Sequence, residues 1–385
     1  MPLTIDYSER VEKIRRAMRQ AGVDAVVCTR LQSIAYVAGV FAPAPWRGAV
    51  LIPMAADVQF IAMGADLART RSETWIKTFH VWDRAQPASF VDMMVGALRE
   101  ANAASGRVAL EMRPPVVAGL MTVPEYLALR AALPRWDVVE AIDLVDSVMV
   151  IKEPAEVELI RRAAEIGDYG LLAGFRAIRP GATENQVAGA AERALRDAGS
   201  SWSWAETGGT EVGSGERSAY AGGVCQPATN KVIQWGDTVV VDVHPTYELY
   251  TCDTCGTALV GRPTDAQRRL ERAWQEVTAS IVGALRPDAS IGDVARAGLK
   301  RAEALGYLEF TVPTFGHGLG TCVGGLAPFI WEGNRDKLQA STLVIVLTAI
   351  AEPRVGGARL ELPVMVTEDE PLVLGRVPVA FAEAG

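Results

Sequence analysis

What most limits this chain is a set of carboxylates set into apolar, strand-like runs. Asp242 ends TVVVD, Glu352 follows TAIA, and Glu361 interrupts ARLELPVMV. An ionised carboxylate buried in such a strand costs several kcal/mol unless it is paired or binds a cation. The C-terminal half is therefore expected to fold around a charged site as well as an apolar core.

Two more residues complete the set. Asp253 lies eleven residues after Asp242, in YTCDTCGT, and His317 stands in FGHGLG. Four carboxylates and one imidazole suit two divalent cations, with manganese, iron, cobalt and zinc all acceptable. Strand alternation puts Asp242 and His244 on one face, Thr251, Asp253, Cys255 and Thr257 on one face, and Glu361 with Arg359 and Pro363. The glycines beside His317 let backbone crowd a small cavity.

The chain has 385 residues, which favours two domains. Helix and strand patterns alternate over the first 148 residues. A helix is expected at 8–21, strands at 25–29, 48–53, 58–63 and 107–112, and a helix at 89–102. This is the pattern of an α/β domain. A boundary falls near Ile142–Lys152, giving domains 1–148 and 149–385. KEPAEVELIRRAAEIGDYGLLAGFRAI reads as a long helix with Pro154 at its start, where a missing N–H costs little. Thr183 and Gln186 have capping-box spacing before the next helix. From Gln234 onward strands dominate, interrupted by helices at about 264–285 and 290–305.

Composition removes several functions. The net charge is −8 and no long basic block occurs, so nucleic acid is not an expected partner. No apolar run reaches the ~18 residues of a membrane span. The N-terminal segment reads as an amphipathic helix without a signal-type apolar core. Five cysteines, an odd number, fit free thiols in a reducing cytoplasm better than a disulfide framework. CDTC (residues 252–255) has redox or zinc spacing, but alternation sends its sulfurs to opposite faces, which favours two buried thiols.

The order Asp–Asp–His–Glu–Glu resembles the creatinase/prolidase/methionine-aminopeptidase, or pita-bread, superfamily, with Xaa-Pro dipeptidase-like metallohydrolases among its members. VVVDVHPTYELYTCDTCGT, FGHGLG and AEP…RLELPVMVTED carry the resemblance, and IKEPAEVELIRRAAEI is similar to the family's domain-entry helix. The resemblance implies an α/β (α+β) protein. An N-terminal creatinase-like domain would precede a C-terminal domain with a curved antiparallel sheet. It implies two divalent metal ions held by Asp242, Asp253, His317, Glu352 and Glu361. It also implies a homodimer in which the N-terminal domain reaches the partner's site.

The sequence departs from that pattern in its histidines. The whole chain has only His80, His244 and His317. TVPTFGHG, TCVGGLAPFI and SAYAGGVCQP lack the further imidazoles that the family's peptidases place near the metals. Conversely, His244 stands where the family usually has glycine, as a ligand, a general base or a hydrogen-bond partner of a carboxylate. The nine-residue interval from Glu352 to Glu361 is also short, which suggests a trimmed loop. Trp46, Arg47, Trp204 and Arg359 are candidate substrate contacts, with Arg47 suited to a substrate carboxylate.

These residues point to a metal-dependent hydrolase acting on a small non-peptide amide or other C–N bond, with Glu352 shuttling the proton and His244 beside it. A lyase on the same scaffold, like the superfamily's dimethylsulfoniopropionate lyase, is the alternative. A non-catalytic binding protein is the third reading, and the complete ligand set argues against it.

Overall fold

The computed structural model describes residues 4–41, 47–83, 90–101, 106–111, 121–203, 209–220, 227–322 and 324–385. The chain forms two compact units, one of Met1–Met149 with Thr321–Val323 and one of Val150–Gly320 with Gly324–Gly385. Among the described residues no helix is long and apolar enough to cross a membrane.

In the first unit, helices α1 (Tyr7–Ala21), α2 (Leu31–Ala38), α3 (Leu67–Glu73), α4 (Phe90–Glu100), α5 (Val123–Ala132) and α6 (Ile142–Met149) alternate with six strands. These are β1 (Ala25–Cys28), β2 (Ala49–Pro53), β3 (Gln59–Met63), β4 (Thr78–Trp82), β5 (Gly106–Leu110) and β6 (Trp136–Glu140), in sheet order β4-β3-β2-β1-β5-β6. The sheet is mixed: β1 runs antiparallel to β2 and parallel to β5. β1, β2 and β3 are buried along their whole length, which is why their sequences read as continuous apolar runs. Arg30 is fully buried here, paired to Glu111 at 2.9 Å and Asp146 at 2.6 Å. Those paired charges offset each other's desolvation.

The second unit opens with α7 (Pro154–Ala177) and α8 (Glu184–Asp197). Pro154 occupies the first helical position, and Thr183 and Gln186 form the reciprocal capping box. The strands are β7 (Glu211–Ser214), β8 (Thr238–Val243), β9 (Thr246–Tyr247), β10 (Tyr250–Thr251), β11 (Thr254–Val260), β12 (Gly316–Gly318), β13 (Leu343–Glu352), β14 (Gly356–Met365), β15 (Leu372–Val373) and β16 (Ala382–Ala384). Helices α9 (Asp265–Val282) and α10 (Ile291–Ala304) lie between β11 and β12 in the chain. The main sheet has the order β12-β13-β14-β11-β8-β7, antiparallel throughout, with β15 added to β14 and β16 to β11.

Alternation divides this sheet into two chemically different faces. Val239, Val241 and Val243 of β8 pack with Ile166, Leu171, Val187 and Ala191 of α7 and α8. Val344, Val346 and Ile350 of β13, with Leu360, Leu362 and Val364 of β14, pack with Trp274, Val277 and Ile281 of α9. Thr348 keeps to the same face and accepts a hydrogen bond from Trp274 Nε1 at 3.1 Å. The intervening residues, Val240 and Asp242, Leu347, and Arg359 and Glu361, occupy the opposite face.

Candidate metal centre

Register assembles the site. Asp242 on β8 is paired with Cys255 on β11, and Cys255 with Glu361 on β14. Paired residues point the same way, so three adjacent strands deliver two carboxylates and a thiol to one face. Asp253 precedes β11 by one residue and, two positions before Cys255, shares that face. His244 follows β8 by one residue, again two positions from Asp242.

Ligand atoms of Asp242, His244, Asp253 and Glu361 all lie within 4.8 Å of one another, and all four residues are buried. His244 Nε2 is 3.3 Å from Asp242 Oδ1 and 3.5 Å from Asp253 Oδ1. His317 stands at the edge, with Nε2 3.5 Å from Asp253 Oδ2. Its Nδ1 is 2.9 Å from the Gly318 carbonyl oxygen. Arg359 Nη2 pairs with Glu361 Oε1 at 2.7 Å and Asp242 Oδ2 at 3.3 Å. Its backbone is pinned in turn: Thr257 Oγ1 donates to the Arg359 carbonyl and accepts from the Arg359 N–H. Arg359 thus braces two carboxylates of the cluster, where an open substrate contact was expected.

Burial, then the Glu361 and Asp253 charges, holds the Asp242 carboxyl well above its usual range. Asp253 is raised as well, by burial first and Glu361 second. Burial also opposes ionisation of Glu361, but Arg359, a hydrogen bond with Asp253 and the two imidazoles outweigh it and bring that group to about 2. Burial lowers His244 to about 4, which keeps the imidazole in its neutral, ligating form at pH 7.

These residues fit a divalent cation. Asp242 Oδ1, Asp253 Oδ1 and Glu361 Oε2 are buried and accept no hydrogen bond among the described residues. Orphaned carboxylate oxygens around a neutral imidazole are the donor set of a hard-to-borderline divalent ion.

Glu352 is not part of this cluster, contrary to the expectation from sequence. It is the last residue of β13 and pairs with Gly356 at the hairpin turn, whereas the residue facing Glu361 is Leu347. Glu352 is five positions along the strand from Leu347, about 16 Å at the usual rise. An odd offset also reverses the face. Glu352 accordingly lies on the helix-covered side, against Tyr307, whose ionisation burial and then the Glu352 charge oppose. The short interval makes a tight hairpin, and that hairpin holds Glu352 at its turn, away from the site.

Of the expected substrate contacts, Trp46 and Trp204 lie outside the described residues. Arg47 forms an ion pair with Glu125 and lies over the Phe90 ring at 4.7 Å, inside its own unit. That interaction supplies the local role the sequence did not reveal. Cys252 and Cys255 are both buried free thiols. Two residues escaped the sequence reading. Glu211 on β7 is buried and pairs in register with Asp242. Its segment, TGGTEVGS, lacks the long apolar run that marked the other carboxylates. Leu347 carried no signal, because its importance is what it fails to supply.

Comparison with known proteins agrees with this architecture. Residues 158–368 match the model of metallopeptidase family M24, and residues 10–149 match the creatinase/prolidase N-terminal domain. An Xaa-Pro dipeptidase of Pyrococcus furiosus is 29% identical over 227 residues, covering 59% of this chain and 63% of the relative's length. An Xaa-Pro dipeptidase of Pyrococcus horikoshii is 24% identical over 94% of this chain and 95% of its own. Among solved structures, an Xaa-Pro dipeptidase from Bacillus anthracis superposes with a TM-score of 0.84 at 24% identity, covering 98% of this chain and all (100%) of that one. The mixed N-terminal sheet and the curled antiparallel C-terminal sheet are the pita-bread architecture. The prolidases of this family use divalent metal ions, and the cluster on β8, β11 and β14 is able to hold one. With the family model spanning more than half of its residues, the chain belongs to metallopeptidase family M24, a family of hydrolases.

Proposed function

We propose that this protein is a metal-dependent hydrolase of a small amide or other C–N bond outside the classical Xaa-Pro dipeptides. The observation that carries the reading is the supply of imidazoles around the buried carboxylates. The chain has three histidines. His80 belongs to the N-terminal unit, with its Nε2 2.7 Å from Gln59 Oε1. That leaves His244, packed among the carboxylates, and His317 at their edge. No histidine remains for the further proton-transfer and charge-stabilising positions that Xaa-Pro peptidase chemistry was expected to need.

A divalent cation bound at the cluster supplies Lewis acidity for cleaving a C–N bond. Asp242, Asp253, His244 and Glu361 position it, and Arg359 holds two of those carboxylates in place. Because Glu352 lies on the other face, the proton falls to His317. Its ring is partly exposed, and Nδ1 is engaged by the Gly318 carbonyl oxygen at 2.9 Å and by the Gly325 N–H, which donates to it at 3.2 Å, so Nε2, beside Asp253, is the nitrogen left to exchange a proton. The resemblance to prolidases also supports a homodimer, which sedimentation would test.

The deciding experiment is turnover by manganese- or zinc-loaded protein of Ala-Pro and Gly-Pro beside a panel of small amides and amidines in ¹⁸O-water. Expected are negligible Xaa-Pro cleavage and label in the product of a non-peptide substrate. Ordinary enzymatic turnover of the dipeptides would place the chain with the Pyrococcus enzymes and overturn the reading. Product without label would favour a lyase.

A further inference from the structure

We propose that the centre is built for one divalent ion, not two, with His244 as its fourth ligand. The inference rests on the metal-dependent reading above and fixes what that site binds. Two ions were expected because five residues seemed able to share them. The strand register removes one of the five: Glu352 sits at the hairpin turn on the helix-covered face, and Leu347 faces Glu361 in its stead.

The remaining donors divide unevenly. Asp242, His244, Asp253 and Glu361 have ligand atoms within 4.8 Å of one another. Donors about 2.1 Å from a common ion are at most about 4.2 Å apart, so contraction of the widest pair by roughly half an ångström or somewhat more closes the set around a single ion. Three carboxylate oxygens of this group, Asp242 Oδ1, Asp253 Oδ1 and Glu361 Oε2, accept no hydrogen bond among the described residues. Glu211, in register with Asp242 at the other flank, is not among the residues whose ligand atoms converge, and the remaining side for a second ion is towards His317, which pairs in register with Ile345, two residues from Leu347 on the same face. There it would find one imidazole and the far oxygens of shared carboxylates, of which Glu361 Oε1 is already held by Arg359 at 2.7 Å. The adjoining wall is Leu347, packed with Val312 and Ala349. That wall offers no donor to compensate the desolvation of a second dication. His244 completes the first ion's shell and leaves His317 free of it.

The test is metal stoichiometry on the full chain, stripped with chelator and reloaded with manganese or zinc. Mass spectrometry for bound metal and titration calorimetry are the readouts. Wild-type protein is expected to hold one ion per chain, and bound manganese to give the paramagnetic resonance pattern of an isolated ion rather than a coupled pair. His244→Ala should weaken binding by about tenfold or more, against the 10–100-fold typical of losing even an outer partner. Glu352→Gln should leave metal content unchanged. Leu347→Glu, which puts a carboxylate opposite Glu361 and beside His317, should raise the content to two. Two tightly held ions in the wild type would overturn the proposal and leave the metal-dependent reading standing. One ion with wild-type affinity in His244→Ala would also overturn it, by removing the fourth ligand. A folded wild-type protein that binds no ion would sink the metal-dependent reading itself.

Discussion

Asp168 shows what burial without a cation does to a carboxylate. It lies on α7 and accepts two hydrogen bonds from the Arg376 N–H, at 3.2 and 3.0 Å. Burial nevertheless dominates and lifts it from 3.8 to about 6, with the Glu165 charge adding to the rise. A folded value above the unfolded one means that the native state prefers the protonated carboxyl. The stability this group contributes is therefore fully present below about pH 4 and lost as pH rises through about 6. Asp168→Asn keeps an acceptor for Arg376 and cannot ionise. It should be more stable than wild type at pH 7, by on the order of 1 kcal/mol once solvent screening is allowed for. The difference should vanish near pH 4. Denaturant melts at both pH values measure it, and an equal difference at each would exclude ionisation of Asp168 as its source. Asp253 has the opposite logic. As a donor in the cluster it is tolerated by what it binds, and Asp253→Ala should lose metal and turnover together. Retained metal in that variant would remove Asp253 from the site.

Between strands, what the sequence reveals depends on whether the signal is local. Helix ends were legible because caps are local: Thr183 with Gln186 forms its capping box, and Thr183→Ala should cost about 1 kcal/mol in a denaturant melt. Period-2 alternation is local too and put Asp242 with His244 and Asp253 with Cys255, whereas their meeting with Glu361 was expected only from the family resemblance and is achieved by register between strands. Glu352 was misplaced because the register of β13 against β14 is set by the hairpin and the helix-side apolar pattern, neither of which the Ala-Glu-Pro motif encodes. The turn follows directly after Glu352, which leaves Leu347 facing Glu361, and an apolar leucine at that point raises no flag in an apolar strand. The glycines around His317 were expected to let backbone crowd a cavity, and what they permit in the structure is close approach of one backbone to another. Gly316 has φ +121°, and a Cβ there would lie 1.8 Å from the Ile345 carbonyl oxygen of β13. Gly316→Ala must therefore strain its backbone and push β12 off β13, carrying His317 with it. A loss of about 3 kcal/mol is expected. A variant within about 0.5 kcal/mol of wild type, with unchanged activity, would show that β12 can retreat freely.

The C-terminal unit pays for its site in stability unless the site is filled. Among the described residues, only one cluster of metal-ligating side chains occurs, and it belongs to that unit. Arg359 pairs with two of the cluster's three carboxylates, Asp242 and Glu361, and three of the carboxylate oxygens make no hydrogen bond among the described residues. An ion that binds the folded unit and not the unfolded chain adds RT ln(1 + [M]/Kd), about 2.7 kcal/mol at a hundredfold excess over Kd. For a unit of this size that corresponds to a rise of roughly 5–10 °C in Tm. Chelator-stripped protein should therefore melt lower than loaded protein, and added manganese or zinc should restore the transition along a saturable curve. If the two units unfold in separate steps, only the step that carries the β8–β11–β14 sheet should move. His244→Ala should need more metal to reach the same Tm, whereas Glu352→Gln should follow the wild-type curve, because its carboxylate lies on the far face of the same sheet. A folded wild-type protein whose melting ignores both chelator and metal would mean that its buried carboxylates are carried as protonated acids, and the case for a metal centre would fall with it.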